Sequence, residues 1–332
     1  MTHRPLTFAA LLLALVLAAA GCGGGREGAP ARDGGAGEAP AGDASGEQLS
    51  GRIVADGSST VGPFTTAAAE QFQRRHSGVQ ITVGVSGTGG GFSRFCRGET
   101  DLSNASRPIK DEETAECEEN GVEYVELQIV NDGLSVVVNN ENDWAQCLTT
   151  DELRRIWEPG SEIGNWSQVR DGFPDVPLVL AGPGTDSGTF DYFTEEIVGE
   201  GGASRSDFTA SENDNVIVQA VSGNRGGLGY FGLSYLEENE GRLRGVAVDA
   251  GEGCVEPTSE TVQDGSYTPL GRPLFVYAKK GAFERREVQE FIRTMIDDNE
   301  TIARNALYVP LTDEQRTKAH DDLEAAIGEV GS

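Results

Sequence analysis

Past residue 50, apolar runs alternate with helix-period patterns along the chain. Ile53-Val54-Ala55 is a short strand pattern. A polar turn follows, Asp56-Gly57-Ser58-Ser59-Thr60-Val61, and then a helix over residues 63–76 that opens on Pro63, a favoured first-turn residue. A β-branched run, residues 79–85, gives way to Ser86-Gly87-Thr88-Gly89-Gly90-Gly91 and a short helix through Phe92 and Phe95. Leu102 leads into Ser103-Asn104-Ala105-Ser106-Arg107, where Pro108 stops regular structure. A charged helix over residues 111–120 ends at Gly121, and residues 122–130 and 134–138 form two further strands.

The second half repeats the alternation with different punctuation. Thr149-Thr150-Asp151-Glu152 has capping-box spacing and opens a helix through Leu153, Ile156 and Trp157. Residues 176–181 form a buried strand, followed by Gly184-Thr185-Asp186-Ser187-Gly188-Thr189 and a helix whose Phe190, Phe193 and Ile197 share one face. Ser211-Glu212-Asn213-Asp214-Asn215 precedes a helix over residues 216–221, and strands follow at 226–231, 243–248 and 274–278. Two helices close the chain, at 285–298 and 312–328, the last with capping-box spacing at Thr312 and Gln315. Strands alternating with helices define an α/β architecture, in which ligands sit at the carboxyl ends of strands. Four such ends carry Ser/Thr/Gly turns.

Those turns define the candidate chemistry. A helix start presents backbone N–H groups without internal partners at the positive end of the macrodipole, so it accepts an oxyanion without any lysine or arginine. One such turn is an ordinary N-cap, but four converging ones make a site. The candidates are Ser59, Thr60 and Val61, then Ser86, Thr88 and Gly89, then Ser106 and Arg107, and finally Asp186, Ser187, Gly188 and Thr189. Arg107 supplies the cation inside these turns, as an alternative to an ion pair with an acid such as Asp101. Arg205 is assigned to the surface. Ser187 has no nearby histidine to serve as its base, so serine attack is not expected.

Charge and export signals narrow the class. The formal net charge is −28, from 54 acidic against 26 basic residues, which argues against nucleic acid and anionic membrane surfaces. It does not argue against a small anion held at contact, because surface charges are screened beyond roughly 8–10 Å. His3 and Arg4 precede an apolar run, residues 6–20, that is short for a membrane span and ends in Ala-Ala-Ala-Gly-Cys22. Residues 1–21 therefore read as a lipoprotein-type signal, with Cys22 as the lipidation site, and residues 22–50 as a flexible tether. Cys96, Cys117, Cys147 and Cys254 remain, an even set suited to an oxidising compartment. The favoured pairing is Cys96–Cys117 with Cys147–Cys254, which keeps each bridge within one part of the chain. No cysteine has metal-ligand spacing, and neither metal nor cofactor is expected.

Several stretches, in order, carry a resemblance: Gly57-Ser58-Ser59-Thr60-Val61, Ser86-Gly87-Thr88-Gly89-Gly90-Gly91-Phe92, Ala105-Ser106-Arg107-Pro108-Ile109, residues 182–193, and Gly229-Tyr230-Phe231-Gly232. Together they resemble the phosphate-binding lipoproteins of ABC transporters. The resemblance implies a two-lobed, class II periplasmic-binding-protein fold with phosphate in the cleft between lobes that close by hinge motion. It implies a first lobe of residues 51–140 plus 271–332 and a second of 141–270. It also implies a monomer on the extracytoplasmic face that is not an enzyme and delivers phosphate to permease subunits. Receptors for sulfate or molybdate and a secreted phosphate-ester hydrolase are the alternatives. Two departures stand out. The best-known members carry an Asp proton acceptor where this chain has Arg107, and an arginine shortly before Ser-Gly-Thr where it has Pro183. The expectation is that the cation has moved to Arg107 and that Asp186, Asp56 or Asp214 replaces the acceptor.

Overall fold

The computed structural model describes residues 49–185 and 187–330. Cys22, the signal, nearly all of the tether and Asp186 lie outside the described residues.

The first third builds β1 (Ser50–Gly57), α1 (Gly62–Arg75), β2 (Gly78–Val83), α2 (Thr88–Cys96), β3 (Leu102–Ala105) and α3 (Asp111–Glu119). β1 is flanked by β2 and β3, both parallel to it, so the β1–α1 and β2–α2 turns and the segment after β3 leave one end of this sheet. Gly121 adopts the left-handed conformation (φ 67°) after α3.

The chain then runs through β4 (Tyr124–Asn139), a single 16-residue strand. The sequence pattern predicts two strands here, since Asn131-Asp132-Gly133 has the composition of a turn. Instead these three residues stay extended because β12 (Gly271–Lys279) pairs with them directly, Pro273 with Asn131, Arg272 with Asp132 and Gly271 with Gly133. Side chains of β4 pack into two separate cores. Leu127, Ile129 and Val130 join the core around Phe64, Phe72 and Phe291, whereas Leu134, Val136, Val137 and Val138 join the core around Trp157, Phe193 and Tyr230.

Between β4 and β12 lie β5 (Cys147–Thr149), α4 (Thr150–Trp157), β6 (Val179–Gly182), α5 (Gly188–Phe193), β7 (Thr209–Ala210) and α6 (Asp214–Ser222). Then come β8 (Gly227–Gly232), α7 (Leu233–Glu238), β9 (Leu243–Gly245), β10 (Ala247–Asp249), β11 (Cys254–Val255) and α8 (Ser259–Gln263). The capping box of α4 forms as its spacing predicts. Thr149 Oγ1 accepts from the Glu152 amide at 3.1 Å, and Glu152 accepts from the Thr149 amide at 2.9 Å. A π-helical turn, Thr194–Val198, continues α5. The apolar run at 243–248 splits at Val246 into two strands of different sheets, β9 on β4 and β10 between β5 and β11. The long sheet has the order β2-β1-β3-β12-β4-β8-β6-β7, so β12 and β4 form its centre.

After β12 come α9 (Arg286–Asp297), α10 (Asn299–Asn305) and α11 (Asp313–Val330), which pack onto the first core. The sequence pattern predicts two closing helices; α10 is the additional one. Disulfides join Cys96 to Cys117 and Cys147 to Cys254. The first welds α2 to α3 beneath a small aromatic cluster of Phe92, Phe95 and Tyr277.

Candidate functional site

The turns that leave the first core meet the start of α5 from the second. A β-carbon built on Gly188 would lie 3.4 Å from Thr60 Oγ1 and 3.6 Å from Ser59 Oγ, so no more than the width of a methyl group separates the two walls here. Beside this contact is a cavity of about 410 Å³ lined by Ser58, Ser59, Thr60, Gly87, Thr88, Gly89, Ser106 and Arg107 from one wall. Gly188, Asp191, Tyr192, Glu195 and Glu196 line it from the other, and Arg272 from β12.

Local sequence explains the first wall. Ser58 takes the Asn104 carbonyl with its amide (2.9 Å), accepts the Gly62 amide on its own carbonyl (3.0 Å), and accepts the Thr60 amide on Oγ (3.1 Å). The turn is thereby locked, with Ser59 and Thr60 presented at its tip. From the far side the Tyr308 hydroxyl donates to the Thr60 carbonyl. In the second turn Gly87 needs the left-handed region (φ 77°) to aim α2 at the cavity. At α2, Gly91 is held to hydrogen by contact. An added β-carbon would sit 2.5 Å from the Gly57 Cα, so the helix start lies directly on β1. Thr88 Oγ1 and Ser106 Oγ are 3.0 Å apart and tie the second turn to the third.

Of the predicted residues, Ser59, Thr60, Thr88, Gly89, Ser106, Arg107 and Gly188 line this cavity. Val61 is fully buried at the start of α1. Ser86 does not line it, because its hydroxyl donates to Asp56 at 2.8 Å. Ser187 caps α5 by accepting the Thr189 amide at 3.2 Å, and neither side chain is on the cavity wall. Asp186 lies outside the described residues.

The charged groups depart most from expectation. Asp101 pairs with Arg285, not with Arg107. Arg107 instead makes a two-pronged pair with Glu113, both contacts 2.8 Å. This bond holds the guanidinium pKa above its ordinary value, against the opposing effect of burial. Burial pushes the Glu113 carboxyl up, but Arg107 and the Lys110 amide outweigh it and hold the group below its ordinary value. Arg205 is buried, not on the surface. It pairs with Asp207 at 2.6 Å and donates to the carbonyls of Ile156 and Ile163, so it ties loops of the second core together.

Two of the three expected acceptors, Asp56 and Asp214, are described. Asp56 is buried and occupied, accepting from Ser86, from its neighbour Gly57 and from Arg94. Asp214 opens α6, away from the lining residues, and burial with the nearby Glu212 pushes it up to about 6. Among the described residues, the carboxylates that line the cavity are Asp191, Glu195 and Glu196. Burial raises the pKa of Asp191, helped by Glu195, and burial also raises that of Glu196.

Sequence reasoning did not single out Arg272 or Asp132, and it placed Tyr192 in the core, where it is buried. Arg272 approaches Asp132 Oδ2 at 3.5 Å, donates to Thr60 Oγ1 at 3.3 Å, and lies with its guanidinium carbon 3.3 Å from the Tyr192 ring centroid. Tyr192 is fixed in turn by its hydroxyl, which donates to the Pro269 carbonyl at 2.7 Å.

Two cores joined by paired crossover strands, with hydroxyl-bearing turns from the first and the start of α5 from the second facing one polar cleft, define a periplasmic-binding-protein fold. Residues 36–299 match the family model described as PBP superfamily domain. The chain is 47% identical over 270 residues, 80% of each chain, to Protein SphX of Synechococcus elongatus. It is 38% identical over 300 residues to the phosphate-binding protein PstS of Staphylococcus saprophyticus, covering 89% of this chain and 90% of that one. Among solved structures it resembles a possible phosphate binding protein from Planctomyces limnophilus, with a TM-score of 0.80 and 45% identity, over 84% of this chain and 99% of that one. The chain belongs to the PBP superfamily, in the branch that holds the PstS and SphX proteins.

Proposed function

We propose that this chain is an extracytoplasmic binding protein, not an enzyme, that captures inorganic phosphate and hands it to an ABC permease. The observation that carries this is the close approach of Gly188 to Ser59 and Thr60, which brings the start of α5 and the hydroxyl-bearing turns of the first core onto one cavity. First-turn amides and the hydroxyls of Ser59, Thr60, Thr88 and Ser106 replace the water of an oxyanion, and the low-dielectric walls strengthen each bond. The lobes exchange at Asn131–Gly133 on the way out and Gly271–Pro273 on the way back, where side chains pass from one core to the other. Closure is a rotation about these strands.

Three carboxylates on the wall favour an oxyanion that still carries a proton. Hydrogen phosphate can donate to Asp191, Glu195 or Glu196, whereas sulfate has no proton to give near neutral pH. Asp191 is the acceptor assigned here, since it sits in the first turn of α5 beside Gly188. Lipidation of Cys22 would hold the monomeric protein on the membrane, with residues 22–50 as its tether.

Calorimetric titration of ligand-stripped protein with phosphate, sulfate and molybdate tests the reading. One phosphate bound tightly with sulfate ignored supports it. Equal affinity for sulfate makes the chain a general oxyanion receptor, and no binding to any of the three removes the assignment. Cys22→Ser should move the protein from the membrane to the soluble fraction if the lipid is its anchor.

A further inference from the structure

Among the described residues three cations line the cleft cavity, Arg107, Lys110 and Arg272. Arg107 has both terminal nitrogens on Glu113, and Lys110 stands exposed at the rim. Arg272 differs from both. Its side chain is only 15% exposed, yet among the described residues its partners are Thr60 Oγ1, to which it donates, and the Asp132 carboxylate at a loose 3.5 Å. Among the described residues its Nε is buried without a hydrogen-bond partner, with the Asp132 carboxylate 3.5 Å away. A guanidinium has five N–H donors, so most of this group's capacity is unused at the wall of a polar cavity. Leaving such donors buried and unmet is costly, and their planar fork matches two oxygens of a tetrahedral oxyanion.

The surroundings hold the group without consuming it. Tyr192 supplies a flat platform under the guanidinium, and the Pro269 carbonyl fixes that platform. Asp132 faces Arg272 from the opposite strand of the antiparallel pair and balances its charge while the cavity is empty. These contacts also span the cleft. Thr60 belongs to the first wall, Tyr192 to the second, and Arg272 lies where β12 passes between the cores.

We infer that Arg272, not Arg107, is the cation that receives the bound oxyanion, and that its contacts with Thr60 and Tyr192 couple occupancy to closure. This rests on the phosphate-capture reading. The pair with Asp132 is loose enough for an anion to take the guanidinium edge, whereas both terminal nitrogens of Arg107 are already engaged by Glu113 at 2.8 Å. A ligand that binds only when both walls touch Arg272 shifts the population toward the closed form.

The test is calorimetric titration of the ligand-stripped protein with inorganic phosphate, for wild type, Arg272→Gln, Arg272→Lys and Arg107→Gln, from pH 5.5 to 8.5. Loss of a charge-assisted contact should weaken binding by about 10- to 150-fold in Arg272→Gln. Arg272→Lys should recover only part of this, since an ammonium neither forks nor stacks as guanidinium does. Arg107→Gln should lose less than Arg272→Gln. A site without its cation prefers the singly charged phosphate, so affinity of Arg272→Gln should fall, relative to wild type, as pH rises. Circular dichroism without phosphate confirms that each variant is folded. Phosphate binding by wild type with Arg272→Gln within twofold of it at every pH overturns the inference. So does a loss with an unchanged pH profile, since that marks a role in packing alone, whereas complete repair by Arg272→Lys keeps Arg272 as the cation and removes only the need for a planar fork. Failure of wild type to bind phosphate would remove the capture reading itself, and this inference with it.

Discussion

Asp132 and Arg272 face each other across the antiparallel ladder of β4 and β12, at the point where both strands pass between the cores. They are 140 positions apart in the chain, and only strand register brings them together. Burial raises the Asp132 pKa, and the Arg272 charge opposes that rise. A raised carboxyl stabilises the fold below its ordinary pKa and withdraws that stability as pH rises through the folded value. Arg272→Gln removes the opposing charge. Its melting temperature should therefore fall further below wild type at pH 8 than at pH 4, measured without phosphate. A constant gap across that range would mean that Asp132 is not ionised in the native protein.

The glycines of the second turn are not equivalent. Gly91→Ala places a β-carbon against the Gly57 backbone, which cannot yield without shifting β1. It should cost about 1–3 kcal/mol or more in denaturant unfolding, the range for overpacking. At Gly89 the nearest atoms are 3.8 Å away or more, and Gly89→Ala should be near neutral in the same experiment. Equal losses at both positions would count against the close approach of α2 to β1.

Asp214 is half-buried beside Glu212, and its carboxyl is pushed up to about 6. Its contribution to stability is present below the ordinary value of 3.8 and lost as pH rises through about 6. Asp214→Asn should match wild type near pH 4 and melt at a higher temperature above pH 7. A variant less stable at pH 8 would show that the ionised side chain is favoured at the head of α6.

Tyr308 reaches the back of the first turn and donates to the Thr60 carbonyl. Tyr308→Phe keeps the ring and removes this bond, so Thr60 is held less firmly. Phosphate affinity should drop by about 3- to 10-fold, the equivalent of one ordinary hydrogen bond. Unchanged affinity with a lower melting temperature would assign Tyr308 to stability only.

The polar turns were legible because each is a local pattern: Ser-Ser-Thr, Ser-Gly-Thr-Gly and Ser-Gly-Thr each end a strand and open a helix. The capping boxes at Thr149 and Thr312 were legible for the same reason, since their bonds span three residues. What the pattern did not reveal depends on pairing between distant segments. Asn131-Asp132-Gly133 has turn chemistry, and only its ladder with Gly271–Pro273 keeps it extended. Arg272 lies in Gly-Arg-Pro, which carries no motif, and it reaches Thr60 across 212 positions. Arg107 looked available because its partner Glu113 lies on a helix whose direction the sequence does not specify. Arg205 looked exposed among small polar residues, but the carbonyls of Ile156 and Ile163 make a buried seat for it.

β4 behaves as a beam shared by two buildings. Its first half is a wall of one core and its second half a wall of the other, with no loop between them. Melting either core would free one end of the strand and strip partners from β12 along its length. The two cores should therefore not come apart one at a time. Heat or denaturant should take both in a single transition, and phosphate should move that transition as a whole.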